Sequence, residues 1–157
     1  MCIVIDMDVL SSIFNKDSSQ YSDFKYVKYW IEKGKGFIVY GGTTYNNQLK
    51  QATKYLGIIL ELSRKGKTRN INKDLVDQNQ KEVDTIISDH RCDDSHLIAI
   101  FRVSKCKLLC SNDRKSDTYI KNRSYYLDNQ RPPKIYRNRQ HRHLLCSENI
   151  VSIRNYI

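Results

Sequence analysis

The chain has 157 residues, a length that suits one domain with one hydrophobic core. Its 27 lysines and arginines outnumber its 17 acids, which gives a net charge of +10. This charge favours a polyanionic partner, with nucleic acid as the first candidate; the alternative is that the surplus of basic residues serves only solubility. No run of 18 apolar residues occurs, which argues against a membrane span. The five cysteines include no CxxC pair, so we expect reduced thiols and a cytoplasmic location. The N-terminal stretch has no basic leader, so we expect no signal peptide.

The apolar pattern predicts strands that alternate with helices. The run at 2–5 is continuously apolar, which is typical of a central strand buried on both faces. In chain order, the predicted elements are a strand over 2–5, a loop over 11–20, a helix over 21–33, a strand over 37–40, a helix from Thr43 or Thr44 to about 64, an irregular basic segment over 65–73, a helix over 74–88, a helix from about 94, a strand over 106–110, a short helix over 114–121 and late strands over 135–136 and 143–145. This alternation indicates βαβ units and a parallel sheet.

The charge distribution divides the chain into two parts of a single domain. We expect one domain over 1–157, with its core over about 1–120 and a C-terminal extension over about 121–157. The extension holds eight lysines and arginines against two acids, so it is basic even for this chain.

Three aspartates stand where a parallel sheet can bring them together. Asp6 and Asp113 follow predicted strands, and Asp94 opens the first turn of an apolar helix. The carboxyl ends of parallel strands share one edge of the sheet, so Asp6 and Asp113 can meet there. Clustered carboxylates repel one another unless a cation compensates them, and Mg²⁺ or Mn²⁺ prefers oxygen ligands of this kind. The alternative is that each acid is separately a strand end, a helix cap or a turn residue.

Two further acids lie beside these three. Asp93 precedes Asp94 and is expected to be the cap of the helix. Asp8 lies two residues beyond Asp6 and is expected to be a turn or cap acid, although it could also support the site.

Three stretches resemble, in order, motifs of the PIN-domain nucleases. Ile3 to Asp6 is similar to the first motif, a strand that ends on a metal-binding aspartate. Asp93 to Ala99 is similar to the third motif, an acid that leads a buried helix. Leu108 to Asp113 is similar to the fourth, a strand followed by threonine or serine, a small residue and aspartate. The resemblance extends to about residue 120.

The resemblance implies a fold, a reaction and a set of site residues. The fold is of the α/β class, a three-layer α/β/α sandwich with a central, mainly parallel sheet. The reaction is metal-dependent cleavage of RNA, with Mg²⁺ or Mn²⁺ as the cofactor. The resemblance implies that Asp6, Asp94 and Asp113 are metal ligands, that Asp117 is a further acid ligand and that Ser111 supports the site. Asp93, next to Asp94, is a second supporting candidate.

One position departs from the pattern of the family. The second motif is a glutamate early in the helix after the second strand, and the matching position here is Gln48. A glutamine carbonyl can still ligate a hard cation, but it brings no charge, so we expect a lower metal affinity. Glu61 follows thirteen residues later, about 20 Å along a helix, which is too far for it to replace the missing glutamate.

Basic residues close to Asp113 indicate how RNA is held. Arg114, Lys115 and Lys121 can contact phosphates and guide a strand towards the acids. The expected function is therefore an endoribonuclease that cleaves single-stranded RNA. The same resemblance implies a toxin-type protein that is held by a protein inhibitor or antitoxin. RNA and a second copy of the chain, in a homodimer, are the other expected partners. The alternative is a catalytically silent PIN-like module that binds RNA or a protein.

Overall fold

The computed structural model describes residues 2–88 and 90–146. They form an α/β fold in which helices flank a five-stranded, all-parallel sheet of order β3-β2-β1-β4-β5. The strands are β1 Cys2–Ile5, β2 Phe37–Gly41, β3 Thr68–Ile71, β4 Leu108–Cys110 and β5 Lys134–Tyr136. The helices are α1 Leu10–Phe14, α2 Tyr21–Glu32, α3 Thr43–Gln51, α4 Thr53–Arg64, α5 Lys73–Ile86, α6 Ser95–Ser104 and α7 Asp117–Ile120, with 3₁₀ turns at Met7–Val9, Arg123–Tyr125 and Arg139–Leu144.

The parallel sheet and the central position of β1 confirm the prediction from the apolar pattern. All four residues of β1 are buried, because β2 and β4 pair with its two edges and helices cover the sheet. Val4 is in register with Leu109 of β4, and Ile3 with Ile38 of β2. None of the helices within 2–88 and 90–146 is long and apolar enough to cross a membrane.

The strand order creates a switch point at the carboxyl ends of β1 and β4. The chain starts in the centre with β1, adds β2 and β3 on one side, and then returns to add β4 and β5 on the other side. In open parallel sheets, the connections that follow such a pair of strands run in opposite directions, and a crevice forms between them beyond the carboxyl ends of the strands. Residues that directly follow β1 and β4 therefore border this crevice.

Helix α6 is the most deeply enclosed helix of the described chain. All ten of its residues are buried, and it packs against α5 and against β1, β2 and β3. The ring of His96, in its first turn, is 3.2 Å from the carbonyl oxygen of Asp93, and burial lowers the pKa of His96 to about 4. His96 is thus a neutral, structural histidine that fixes the approach to the helix.

Two predictions about the first half of the chain need correction. Residues 11–20 were expected to be a loop, which holds for 15–20, but Ser12 and Ile13 are buried and belong to the five-residue helix α1. The single helix expected to run to about 64 is interrupted at Ala52, whose backbone (φ −89°, ψ 63°) is not helical. Helix α3 begins at Thr43, and neither Thr43 nor Thr44 occupies its N-cap position. Instead Gly42, at φ 82°, leads into α3, and Thr43 donates to the Asp77 carboxylate of α5.

Three predictions about the second half also need correction. The segment 65–73 contains strand β3, whose Thr68 and Ile71 face the core while the guanidinium of Arg69 lies 5.3 Å from the ring centre of Phe37. Residues 143–145 are not a strand, since 143 and 144 belong to a 3₁₀ turn. The N-cap position of α6 is Asp94 rather than Asp93.

The basic C-terminal part is integrated into the domain as far as it is described. Strand β5 pairs with β4, and the hydroxyl of Tyr136 donates to the carbonyl of Asp23 in α2 at 2.8 Å. The buried Arg102 of α6 donates to the carbonyl of Tyr125 at 2.6 Å and pairs with Glu82 of α5. Residues 147–157, the rest of the predicted extension, lie outside the described residues.

Candidate functional site

Asp6 and Asp113 are joined through Ser111 at the switch point. The backbone N–H of Asp6 donates to the carbonyl of Cys110 at 2.9 Å, which continues the pairing of β1 with β4. The Ser111 hydroxyl donates to Oδ2 of Asp6 at 2.9 Å and accepts the backbone N–H of Asp113 at 3.1 Å. Ser111 therefore orients both loops.

Asp94 belongs to the same group of carboxylates. It occupies the N-cap position of α6, but its side chain makes no capping hydrogen bond there. Burial and the charge of Asp6 raise the pKa of Asp94 to about 6, and Asp113 adds to the rise. The structure thus places Asp6, Asp94 and Asp113 within electrostatic reach of one another.

Asp8 joins these three acids. The 3₁₀ turn at Met7–Val9 carries it back towards β4, where the backbone N–H of Asn112 donates to its carboxylate. Although the side chain reaches solvent, desolvation and then the charges of Asp6, Asp113 and Asp94 raise its pKa to about 7. The sequence showed that Asp8 lies two residues beyond Asp6, but it did not predict the 3₁₀ turn that brings both side chains into one group.

The surroundings of Asp6 oppose its ionisation. Burial is the main cause of its raised pKa, and the charge of Asp113 adds to it. Hydrogen bonds from Ser111 and from the backbone N–H groups of Met7 and Asp8 act in the opposite direction without cancelling the rise. We call Asp6, Asp8, Asp94 and Asp113 the acid cluster. Near neutral pH its negative charge lacks a compensating cation among these contacts, and charge of this kind destabilises a fold.

The acid cluster predicts a pH-dependent effect of replacing Asp8. A pKa raised in the folded state gives stability that is present below the unfolded value of 3.8 and is lost as pH rises through about 7. Asp8→Asn should therefore raise the free energy of unfolding of the metal-free protein by about 1 kcal/mol at about pH 8, allowing for solvent screening at this side chain. At about pH 4 the gain should vanish. Urea unfolding in EDTA at both pH values measures the difference.

The matched control is Asp17→Asn, because Asp17 is exposed in the turn after α1 and is not among the charges that raise the pKa values of Asp6, Asp8 and Asp94. It should change stability little at either pH. An Asp8→Asn protein that is less stable than the parent at both pH values would show that the Asp8 carboxylate serves mainly as the acceptor for Asn112, and would contradict the cluster.

Gln48 supplies an unsatisfied oxygen on α3, the helix that follows β2 and packs against it. Its Oε1 is buried, and no described residue donates a hydrogen bond to it. Gln48 follows Tyr45 by three residues, so both lie on one face of α3. The hydroxyl of Tyr45 donates to the carbonyl of Ile5 at 2.6 Å, immediately before Asp6. A buried acceptor without a donor is costly to the fold, and a bound cation would satisfy it.

Two other residues that were predicted for the site, Asp117 and Asp93, make their contacts outside the acid cluster. Both carboxylate oxygens of Asp117 are ion-paired, Oδ1 with Arg137 and Oδ2 with Lys121 at 2.9 Å, so Asp117 is not free to ligate a metal in this arrangement. Asp93 is exposed and contributes its carbonyl to His96 rather than a carboxylate contact. The long-range partner Arg137 gave no sequence signal.

The basic residues predicted to contact RNA differ in their availability. Arg114 and Lys115 are exposed in the loop that follows β4, and the backbone N–H of Lys115 donates to Oδ1 of Asp113 at 2.7 Å. Lys121 is already paired with Asp117. Arg114 and Lys115 therefore lie beside the acid cluster with their charges facing solvent.

The side chains of the acid cluster are coupled but not closed around one point. Across the described ranges, no three aspartate, glutamate, histidine or cysteine side chains are arranged to hold a metal ion. No protein-family model, curated protein or solved structure matches this chain.

Proposed function

We propose that this protein is a metal-dependent endoribonuclease of the PIN-like type that cleaves single-stranded RNA. The observation that carries the proposal is the acid cluster, in which each of Asp6, Asp8 and Asp94 has its pKa raised by burial and by the other carboxylates. Such a group at the switch point of a parallel sheet is a candidate active site. The observed parallel sheet with flanking helices is also compatible with the three-layer α/β/α arrangement of that family.

The donor chemistry of the site fits a hard divalent cation. The acid cluster and Gln48 offer only oxygen atoms, which Mg²⁺ and Mn²⁺ prefer. Asp6, Asp94 and Asp113 would hold the ion after their side chains turn towards a common point, and the orphaned oxygen of Gln48 is a further neutral donor. A cation held by these residues would lower the pKa of a bound water and stabilise the oxygens of a phosphodiester.

The surrounding residues supply positioning. Ser111 holds Asp6 and the backbone of Asp113 by its hydroxyl, which fixes the direction from which these two acids approach. Arg114 and Lys115 follow Asp113 directly and can bind the phosphates on either side of the scissile bond. Asp8, with its pKa of about 7, can accept a proton near neutral pH.

A second candidate function is a silent PIN-like module that binds RNA or a protein. The observations that favour it are the uncharged Gln48 and the absence, among residues 2–88 and 90–146, of three side chains poised around one metal position. The two functions differ in metal-dependent turnover.

Cleavage of a labelled single-stranded RNA tests the proposal. The protein should cut the RNA internally in Mn²⁺ or Mg²⁺, stop when excess EDTA is added, and resume when Mn²⁺ is restored. Failure of folded protein to cut several RNAs in either metal would overturn the nuclease and favour the silent module.

A further inference from the structure

A cavity opens at the edge of the sheet opposite to the acid cluster. Its volume is about 610 Å³, and its lining includes Lys107, which precedes β4, and Lys134, which begins β5. The two residues are joined by the backbone hydrogen bond from Lys134 to the carbonyl of Lys107 at 2.9 Å. Because the strands are parallel, this amino-terminal edge is the far side of the sheet from the switch point. The volume is in the range of small-molecule sites.

The cavity concentrates positive charge. Lys105, Lys107, Arg131 and Lys134 line it together with the single acid Asp128, which leaves a net charge of +3. Within the described chain, none of the four cations has a salt bridge. The ammonium group of Lys105 donates a hydrogen bond to the amide oxygen of Gln130 at 3.4 Å. Charges of one sign gathered in this way repel one another unless an anion compensates them.

Two left-handed residues shape the backbone around the cavity. Lys105 has φ 56° and Asn129 has φ 62°, and these are the two non-glycine residues with positive φ in the described ranges. Both line the cavity. At Lys105 this conformation ends α6 at its C-cap position, and asparagine adopts it readily, so these two residues turn the chain around the cavity. Lys105 is also half-buried, and desolvation and the nearby charge of Arg102 lower its pKa.

We infer that this cavity binds the phosphate chain of a small oligophosphate, either free inorganic tripolyphosphate or the triphosphate of a nucleotide. The net charge of the lining matches a short polyanion. No aromatic ring is among the residues that line the cavity in the described part of the chain, so the site offers no stacking surface for a base. Recognition therefore runs through the phosphates. This binding needs neither the acid cluster nor the proposed nuclease activity.

Calorimetric titration of tripolyphosphate into the full chain tests the site. EDTA in the buffer prevents a metal from bridging the ligand to the acid cluster, and about 0.1 M salt suppresses loose association with the basic surface. The parent should bind, and Lys107→Gln with Arg131→Gln should weaken binding at least about tenfold, since two charged contacts are lost. The charge-matched control, Lys50→Gln with Lys81→Gln on exposed helical surfaces, should stay within about twofold of the parent. The variant that combines Lys107→Arg with Arg131→Lys keeps both positive charges and should retain binding. This result would show that the weaker binding of the glutamine variant comes from the lost charge and not from a loss of fold.

Two ligands distinguish the source of the phosphate chain. ATP that binds as tightly as tripolyphosphate, and loses affinity in the same double variant, supports a nucleotide held by its phosphates. Tripolyphosphate binding without ATP binding supports the free inorganic chain. Folded parent protein that binds neither would overturn the inference, as would equal weakening by the cavity pair and the control pair. Binding of single-stranded RNA alone through Lys107 and Arg131 would also overturn it.

Discussion

Replacing Asp6 with asparagine should lower the rate of RNA cleavage at least about 100-fold, a loss of about 2.7 kcal/mol of transition-state stabilisation. Asparagine keeps the shape of the side chain and can still accept the hydrogen bond that Ser111 donates at 2.9 Å. It removes the negative charge, which is the property that holds a hard cation. Rates with labelled single-stranded RNA in saturating Mn²⁺ measure the effect.

The same variant should be at least as stable as the parent in the absence of metal. Burial raises the pKa of Asp6, so its ionised form is unfavourable in the folded protein near neutral pH. A loss of cleavage together with retained or increased resistance to urea identifies a functional acid rather than a structural one. Asp17→Asn should cleave like the parent, and an Asp6→Asn protein that does the same would exclude Asp6 from the site.

Replacing Gln48 with glutamate should raise the affinity for Mn²⁺ about tenfold, because a buried neutral donor becomes a charged one. The same substitution should destabilise the protein when no metal is bound. A fifth carboxylate in the vicinity of the acid cluster should lower the free energy of unfolding in EDTA by about 1–2 kcal/mol at about pH 8. Urea unfolding with EDTA and with Mn²⁺ measures both effects, which should have opposite signs.

Gln51→Glu provides the control for this change, because Gln51 is exposed at the last position of the same helix. It adds the same charge without burying it, so it should alter neither metal affinity nor metal-free stability by more than a few tenths of a kcal/mol. If the two glutamate variants behave alike, the Gln48 side chain is not part of a metal site.

The elements that could be predicted are those whose sequence matches their burial. The four residues of β1 are apolar and buried on both faces, and α2 ends close to Gly34, as its spacing indicated. Strand β3 could not be predicted in the same way, because it is an edge strand that carries Arg69 and Asn70 between its two buried residues. Helix α1 is five residues long, too short to show a helical period.

The candidate site was predictable as far as the sheet geometry reaches. Parallel strands bring Asp6 and Asp113 to one edge, where Ser111 links the Asp6 carboxylate to the backbone N–H of Asp113. Asp8 depended on a 3₁₀ turn that folds it towards Asn112, and Asp117 depended on Arg137, twenty residues away in sequence. Both outcomes rest on tertiary contacts that local spacing does not encode.

Direct titration of Mn²⁺ into EDTA-treated, dialysed protein at about pH 8 tests the central claim, that the acid cluster is a divalent-cation site. Calorimetry should detect saturable binding by the parent, and a parallel titration at about pH 6, where the carboxylates with raised pKa are still partly protonated, should release protons as these groups ionise. Asp6→Asn and Asp113→Asn should each weaken this binding at least about tenfold. No saturable binding by folded parent protein, or equal binding by the parent and both variants, would contradict the account.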